Sequence, residues 1–392
     1  MSYQDFLKYQ TQTSPHPLGV DVERASGSYI YDTNGRSYLD MVAGISACTL
    51  GHSHPKITTA IKQQVDSYMH VMVYGEFAQG PAVELCKFLA KQLPSNLNTT
   101  YLVNSGTEAV EGSLKLARRY TGRSEIIAAN NSYHGNTMGS LSLMSPHERK
   151  SPFLPLIPGV KHITFNCEWC LQQITSKTAA VILETIQGGA GFIEPFDDYL
   201  KKVKERCNAV GALLILDEIQ PGIGRTGKLF GFENYSVVPD ILVTGKGLGG
   251  GLPIGAFTSS HAIMKSLSNN PKLGHITTFG GNPVIAAAGL ATLKEVVKSE
   301  LMPLALEKEV FIKKKLQHQN ILEIRGKGLM LAIMTDSNET TNKVIKYCFD
   351  HGVLLFWLLF EPKAIRLTPP LTITVAELDK ACDIILEAFN NT

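Results

Sequence analysis

One stretch decides the fold, Leu213-Leu-Ile-Leu-Asp-Glu-Ile-Gln220: four apolar residues followed at once by two carboxylates and, after Ile219, an amide. A bare apolar run of this length is typical of a strand buried on both faces of a parallel sheet. Polar side chains just beyond such a strand lie where open α/β sheets bind their ligands. An acid at a strand end can also simply cap the next turn, so this stretch alone predicts the strand and leaves the role of Asp217 open.

Similar apolar runs alternate with helical patterns on both sides of this stretch. This alternation predicts an α/β fold with a mainly parallel sheet that helices cover on both faces. The further runs are Tyr101–Val103, Ile126–Ala129, Ala179–Leu183 and Ile241–Val243, and helical spacing covers Pro81–Leu93 and Thr107–Tyr120.

The pattern changes after about residue 283. We predict one long helical stretch from Val284 to about Gln319, followed by a strand at Leu329–Met334, a helix near 341–351, a strand at Val353–Phe360 and a last helix at Val375–Ala388. Short strands with turn signals occupy residues 18–40. We therefore predict a large domain at 46–283 and a small α+β domain at 284–392, with the segment 1–45 packing against the small domain.

Composition excludes several classes of protein. The 392 residues suit two domains, and a net charge of +2 provides no field that would gather nucleic acid or an anionic membrane. The first residues carry no secretory signal, and no apolar run reaches the roughly 20 residues of a membrane span. The seven cysteines are scattered apart from Cys167-Glu-Trp-Cys170, a weak signal for zinc or redox chemistry. We expect unpaired thiols, no metal site and a cytoplasmic location.

Two further motifs follow predicted strands. Asn104-Ser-Gly-Thr-Glu108 begins a helix, where free backbone N–H groups bind anions, although an ordinary Ser/Thr cap explains it equally well. Lys246 follows Ile241–Val243 among many glycines, and a partly desolvated lysine is a usable amine nucleophile. A solvated lysine in a flexible loop is the alternative. Together, the strand-end Asp217, Lys246 and the phosphate site are what pyridoxal phosphate requires.

The motifs resemble those of class III aminotransferases, nearest the acetylornithine/ornithine branch, from about Tyr31 to Pro370. The resemblance implies fold type I, with a large domain built on a seven-stranded sheet, and pyridoxal 5′-phosphate as cofactor. The matching motifs are Asn104-Ser-Gly-Thr-Glu-Ala-Val-Glu111, Tyr133-His-Gly135, Asp217-Glu-Ile-Gln220, Gly224-Arg-Thr-Gly227, Lys246 with Gly249-Gly-Gly-Leu-Pro-Ile-Gly255, and Thr277-Thr-Phe-Gly-Gly-Asn-Pro283.

The resemblance also implies roles for single residues. Lys246 would form a Schiff base with the cofactor and carry the proton to and from the substrate, and Asp217 would pair with the pyridine nitrogen. Thr278 would reach the phosphate of a neighbouring subunit, which implies a homodimer with shared active sites. The other implied cofactor contacts are Ser105, Gly106 and Thr107 at the phosphate, Tyr133 and Ile219 on the two ring faces, Gln220 at the 3′-oxygen, and Glu184 nearby.

The substrate side departs from the family pattern. Arg366 matches the arginine that binds the carboxylate of glutamate or 2-oxoglutarate, and Thr277 lies beside Thr278. Asn136 stands where the branch usually has an arginine, Gly189 where it has a glutamate that masks the Arg366 equivalent, and Ile45 where ornithine enzymes have a tyrosine. These changes argue against strict ornithine δ-transamination.

Three functions are therefore weighed. The first is an aminotransferase that moves an amino group from an N-acetylornithine-like or other ω-amino donor to 2-oxoglutarate. The second is an aminomutase or decarboxylase on the same fold, and the third is a pyridoxal-phosphate-binding protein with little activity. The presence of Lys246, Asp217 and Gln220 argues against the third function, whereas the sequence does not separate the first two. We predict the first and keep the second as the alternative.

Overall fold

The computed structural model describes residues 3–145 and 147–391. The strands are β1 (Val22–Ser26), β2 (Tyr29–Asp32), β3 (Ser37–Asp40), β4 (Thr99–Val103), β5 (Glu125–Ala129), β6 (Val160–Ile163), β7 (Thr178–Glu184), β8 (Leu213–Asp217), β9 (Ile241–Gly245), β10 (Gly255–Ser259), β11 (Ile321–Lys327), β12 (Met330–Thr335), β13 (Val353–Leu354), β14 (Phe356–Trp357) and β15 (Ala364–Leu367). The helices are α1 (Tyr3–Tyr9), α2 (Ala43–Ser46), α3 (Pro55–Ser67), α4 (Gly80–Gln92), α5 (Gly106–Thr121), α6 (Met138–Ser142), α7 (His147–Lys150), α8 (Tyr199–Val210), α9 (His261–Met264), α10 (Pro283–Lys298), α11 (Leu301–Lys315), α12 (Asn338–Asp350) and α13 (Val375–Asn390).

A seven-stranded sheet forms the centre of the large unit, in the order β4-β10-β9-β8-β7-β5-β6. Its strands β9, β8, β7, β5 and β6 pair in parallel, and β10 runs antiparallel to both of its neighbours. The residues of β7, β8 and β9 are buried throughout, as expected for strands covered on both faces. The predicted α/β fold with a mainly parallel seven-stranded sheet is confirmed.

Apolar cores lie on both faces of this sheet. One contains α5, with Ala109, Val110 and Leu114 packed against Ile215 and Val243. The core on the other face is larger and includes residues of α4, α8 and α10. Apolar side chains therefore cover both faces of the central strands. Polar groups remain accessible at the strand ends.

The first strands of the chain join a late segment in one sheet, ordered β1-β2-β3-β13. Leu39 and Met41 belong to the same apolar cluster as residues of α11, α12 and α13. A third sheet, β11-β12-β15-β14, carries the C-terminal strands. Strand β13 pairs in parallel with β3, so the N-terminal strands and the C-terminal part are connected by backbone hydrogen bonds.

The predicted helical stretch from Val284 to about Gln319 is divided into two helices in the structure. Helix α10 ends at Lys298, where Ser299 adopts an extended conformation, and α11 starts at Leu301. Leu293 of α10 packs into the core of the large sheet, whereas Ile312 of α11 packs with the C-terminal cluster. The predicted domain boundary at 283/284 stays a prediction, and this packing leads us to propose a boundary near residue 299.

The predicted strand Val353–Phe360 is likewise divided. Its first part, β13, pairs with β3, whereas β14 pairs with β15 in a different sheet. Leu355, between the two, is fully buried. One apolar run therefore passes from one sheet to another.

Cysteine pairing differs from the sequence-based expectation. Cys167 and Cys170 form a disulfide with a Cα–Cα distance of 5.3 Å, within the usual range for such a bond. The other cysteines, Cys48, Cys86, Cys207, Cys348 and Cys382, are free thiols. The Cys170 N–H donates to the Cys167 carbonyl, and this turn brings the two Cα atoms close enough for the bond. None of the described helices combines the length and the apolar character that a bilayer crossing needs.

Arg225 links the large unit to the C-terminal part. Its side chain is 1% exposed, and Nη1 donates hydrogen bonds to the carbonyls of Leu329, at 3.1 Å, and of Pro369. Burial lowers the pKa of this guanidinium to about 9. The loop after β8 is thereby attached to the backbone just before β12 and just after β15, at one end of the C-terminal sheet.

Candidate active site

The predicted catalytic residues lie together at the carboxyl edge of the large sheet. Glu184 and Asp217 end β7 and β8, and they stand opposite each other in the register of these strands. Lys246 directly follows Gly245, the last residue of β9. Because β7, β8 and β9 are parallel neighbours, the three side chains leave the sheet at the same edge.

Asp217 is held by a histidine that sequence reasoning did not single out. Its Oδ2 lies 2.7 Å from Nδ1 of His134, and its Oδ1 accepts a hydrogen bond from the Ile219 N–H at 3.0 Å. Both side chains are buried. An ionised carboxylate only accepts, so Nδ1 of His134 carries the hydrogen. The signal in the sequence was the position of His134, next to the predicted ring-stacking Tyr133, but its partner is 83 residues away.

Glu184 is a second buried carboxylate at this edge. It accepts hydrogen bonds from the N–H groups of Tyr133, at 3.0 Å, and Gly188, at 2.8 Å. Burial raises the pKa of Glu184 to about 7, and the negative charge of Asp217 adds to this effect. These bonds fix the backbone of Tyr133 beside Asp217.

Lys246 lies in an environment that favours its neutral amine. Burial, and then the positive charge of Arg366, lower the pKa of Lys246 to about 8, while Asp217 and Glu184 act in the opposite direction. The residue has a φ of 41°, in the left-handed region that non-glycine residues rarely adopt. Strain of this kind is common at functional sites.

Two of the predicted cofactor contacts, Gly106 and Ile219, lie against Gly245, the residue before Lys246. A methyl group added to Gly106 would come within 2.7 Å of Ile219, so glycine is needed there for the helix to approach this side chain. The amide nitrogen of Gln220 lies 3.3 Å from the hydroxyl of Ser46, a buried residue that the sequence did not reveal. Burial raises the pKa of the Tyr133 phenol, with Asp217 and Glu184 contributing.

Helix α5 supplies the predicted phosphate site. Ser105 caps it by accepting a hydrogen bond from the Glu108 N–H, which leaves the N–H groups of Gly106 and Thr107 at its exposed start. The Thr107 hydroxyl lies 2.7 Å from that of Thr137 and 2.6 Å from that of Ser140. A helix start with several hydroxyls suits a phosphate group.

Arg366, on β15, is 6% exposed. Within the described part of the chain its Nε and Nη1 have no hydrogen-bond partner, and the guanidinium lies 5.6 Å from the centre of the Phe192 ring. Burial lowers the pKa of Arg366 to about 10. A buried cation without a partner is costly, and a carboxylate ligand would remove this cost.

Gly189 lies against an aromatic ring. A side chain at this position would come within 2.7 Å of the Phe360 ring, and the Phe360 N–H donates to the Gly189 carbonyl at 2.9 Å. A glutamate at 189 would therefore need Phe360 to move. This packing explains in physical terms how the chain leaves Arg366 without a masking carboxylate.

The remaining predicted residues, Asn136, Thr277 and Thr278, are not part of the buried group formed by Lys246, Asp217 and Glu184. Asn136 and Thr278 are exposed. Thr277, predicted to contact substrate, accepts a hydrogen bond from the side chain of Asn104 at 2.8 Å, which places it next to the phosphate end. The structure thus brings Lys246, Asp217 and Glu184 together with the start of α5, and leaves Asn136 and Thr278 on the surface of the subunit.

The residues present fit pyridoxal phosphate. Asp217 offers a buried carboxylate, and Lys246 offers an amine of lowered pKa. Gly106 and Ile219 pack closely against each other beside them. His134 Nε2 and Arg366 are buried polar groups without partners among the described residues, so the site has polar capacity left for a ligand.

The chain is similar to known proteins of one family. The family model described as "Aminotransferase class-III" matches residues 9–389. Acetylornithine aminotransferase of Clostridium acetobutylicum is 38% identical over 385 residues, covering 95% of this chain and 97% of that protein. Putrescine aminotransferase of Pectobacterium atrosepticum is 39% identical over 411 residues, covering 99% and 87%.

A solved structure of ornithine aminotransferase from Toxoplasma gondii is also similar. It is 30% identical, with a TM-score of 0.92, and the match covers 100% of this chain and 94% of that one. That structure contains pyridoxal phosphate at partial occupancy in its active site.

Proposed function

Because the chain belongs to the class III aminotransferases and is a pyridoxal-phosphate-dependent transaminase, we propose that it moves the terminal amino group of an ω-amino donor to 2-oxoglutarate, which becomes glutamate. The donor class is that of acylated diamino acids such as N-acetylornithine and of other ω-amino compounds, including simple diamines. The observation that carries the proposal is the buried Arg366, which has no carboxylate partner in the described structure and lies close enough to Lys246 to lower its pKa.

Each residue of the site has a defined task in this proposal. Bound pyridoxal phosphate supplies a protonated pyridine ring that withdraws electrons from the carbon bearing the amino group. The Asp217 carboxylate, oriented by His134, holds the proton on the ring nitrogen. Lys246 binds the cofactor and then, as a neutral amine, removes and returns the proton of the substrate carbon. Ile219 and Tyr133 orient the ring, Gln220 binds its oxygen, and α5 binds the phosphate through Ser105, Gly106 and Thr107.

The acceptor assignment depends on Arg366. Its planar guanidinium can bind a carboxylate with two parallel hydrogen bonds. Phe360 fills the space beside Gly189, so the loop after Glu184 has no carboxylate at this position that would compete with 2-oxoglutarate for Arg366. The donor assignment is supported by the similar relatives, one named for acetylornithine and one for putrescine, which both carry a terminal amine.

The test of this function is amino-group exchange with single donors. We expect purified protein with added pyridoxal phosphate to form glutamate from 2-oxoglutarate with N-acetylornithine or putrescine, and much more slowly with ornithine. The measurement is glutamate formed per donor consumed, together with released carbon dioxide. Carbon dioxide without glutamate would indicate a decarboxylase, and an isomerised amine that keeps its nitrogen would indicate an aminomutase. A protein that binds the cofactor but converts no donor would contradict catalysis.

Replacing Arg366 with methionine should separate the two half-reactions. Losing a charged, bidentate contact to a carboxylate should raise the KM for 2-oxoglutarate about tenfold to a hundredfold. Deamination of putrescine, which has no carboxylate, should change by less than about threefold in a single-turnover measurement made well above the Lys246 pKa of about 8, where losing the positive charge of Arg366 leaves the Lys246 amine neutral. Equal losses with both compounds would mean that Arg366 acts through the structure of the site and not as the carboxylate ligand.

We also propose that the enzyme is a homodimer. Thr278 is exposed next to Phe279, and apolar side chains around them are exposed to solvent as well: Met69, Met72, Phe77 and Val83. Phe77 and Val83 line a groove of about 460 Å³ there. The resemblance of the Thr277–Pro283 motif implies that a second copy covering this surface has Thr278 at its phosphate site. Sedimentation of the purified chain at the mass of a monomer would contradict the dimer.

A further inference from the structure

Glu111 lies on α5, one helical turn beyond the phosphate site, and none of the proposed steps uses it. Its Oε1 accepts three hydrogen bonds: from the Thr137 hydroxyl at 2.6 Å, the Gly139 N–H at 2.7 Å and the Ser140 N–H at 3.0 Å. The carboxylate therefore attaches α5 to the segment Thr137–Ser140. This segment carries the two hydroxyls that contact Thr107.

These contacts fix the direction of the hydroxyl hydrogens. A carboxylate accepts but does not donate, so the one hydroxyl hydrogen of Thr137 is given to Glu111. The Thr137 oxygen can then only accept from Thr107. The Thr107 oxygen in turn accepts from the Thr137 N–H, at 3.2 Å, and lies 2.6 Å from the Ser140 hydroxyl oxygen. Three contacts therefore hold the Thr107 hydroxyl to the segment that Glu111 attaches to α5.

Two glycines make this arrangement possible. A methyl group at Gly139 would lie 2.1 Å from Oε2 of Glu111, and one at Gly135 would lie 2.4 Å from the Thr107 hydroxyl oxygen. Both distances are far inside van der Waals contact. The local backbone is therefore built to let Glu111 and Thr107 approach it closely.

We propose that Glu111 is a positioning residue for the cofactor phosphate: by holding the segment Thr137–Ser140 against α5, it fixes the Thr107 side chain and the start of the helix at which the phosphate binds. Glu111 itself does not touch the cofactor. The inference rests on the proposed function, because it uses Thr107 as a phosphate ligand. It adds a determinant of cofactor affinity that acts through the phosphate and leaves the ring unaffected.

The test compares two ligands of the cofactor-free protein, pyridoxal phosphate and pyridoxal, which lacks the phosphate. Binding is followed at equilibrium by absorbance. We expect Glu111→Ala to raise the Kd of pyridoxal phosphate about tenfold to a hundredfold, the usual effect of losing hydrogen bonds to a charged group. The Kd of pyridoxal should stay within about twofold. Glu111→Gln, whose amide oxygen still accepts without a charge, should lie between Glu111→Ala and the parent protein.

Two further variants sharpen the comparison. Thr137→Val removes the hydroxyl that links Glu111 to Thr107, so combining it with Glu111→Ala should add little to either single change. Glu84→Gln, on the exposed surface of α4, controls for the loss of a negative charge and should change neither Kd. Thermal unfolding of each variant verifies that it is folded.

The outcomes distinguish an error in the role of Glu111 from an error in the proposed phosphate site. Unchanged binding of pyridoxal phosphate to a folded Glu111→Ala protein would overturn the role of Glu111, as would equal weakening of both ligands. If the parent protein itself binds pyridoxal phosphate no more tightly than pyridoxal, the proposed phosphate site is wrong and this inference falls with it.

Discussion

Replacing Lys246 with alanine is expected to reduce amino transfer by about 10⁴-fold or more. The variant loses the amine that binds the cofactor covalently and also the base that moves the substrate proton, and proton transfer alone contributes up to about 10⁴-fold. The structure supports this double use, because burial and Arg366 lower the pKa of Lys246 to about 8 and keep part of it neutral at physiological pH. The measurement is glutamate formation from 2-oxoglutarate at saturating donor.

The control for this prediction is Lys228→Ala, which removes an exposed lysine from a loop and should leave the rate unchanged. The cofactor should still bind the Lys246→Ala protein through its phosphate, but without the absorbance of a lysine-linked form. A variant that retains a tenth of the parent rate would show that another group moves the proton.

Replacing Asp217 with asparagine is expected to lower kcat about tenfold to a thousandfold. A carboxylate next to the ring nitrogen raises the pKa of that nitrogen by about one to three units, and the neutral amide cannot do so. The fraction of protonated ring falls accordingly, and with it the electron withdrawal that catalysis needs. Because a lower pH restores the proton, the residual activity should rise relative to the parent protein as the pH falls.

The matched control is Asp198→Asn, which changes an exposed carboxylate at the start of α8. The stability of the Asp217→Asn protein must be measured as well, because His134 Nδ1 loses a charged partner in the interior. An unchanged kcat, or a loss that does not depend on pH, would contradict the role of Asp217 as the partner of the ring nitrogen.

Much of the cofactor site could be predicted from the sequence, because the polar residues that follow parallel strands meet at one edge of the sheet. The positions of Asp217 and Lys246 followed from short apolar runs alone. His134 could not be found in this way, because the contact that defines it joins residues distant in the chain. Ser46 was missed for the same reason, since its contact with Gln220 spans 174 positions.

The errors outside the site have a common physical cause. Apolar periodicity indicates that a segment is buried, but it does not indicate which strand or core the segment packs against. The run from Val353 to Phe360 looks like one strand, yet its two halves pair with β3 and with β15. The stretch from Val284 to Gln319 looks like one helix, yet its two parts enter different cores. For Cys167 and Cys170, a close spacing is compatible with both a free and a bonded pair, and only the folded loop decides between them.

The buried Arg225 has a consequence for how the protein is made. A nascent chain that has emerged only to about residue 300 already contains Asp217 and Lys246, but not the carbonyls of Leu329 and Pro369 to which Arg225 donates. Until Leu329 and Pro369 leave the ribosome, the guanidinium has to remain hydrated, and the loop that follows β8 cannot close over it. Completion of the catalytic pocket thus waits until residue 369 has been translated, so chains that stop before this residue should accumulate as inactive products and not as partial enzymes.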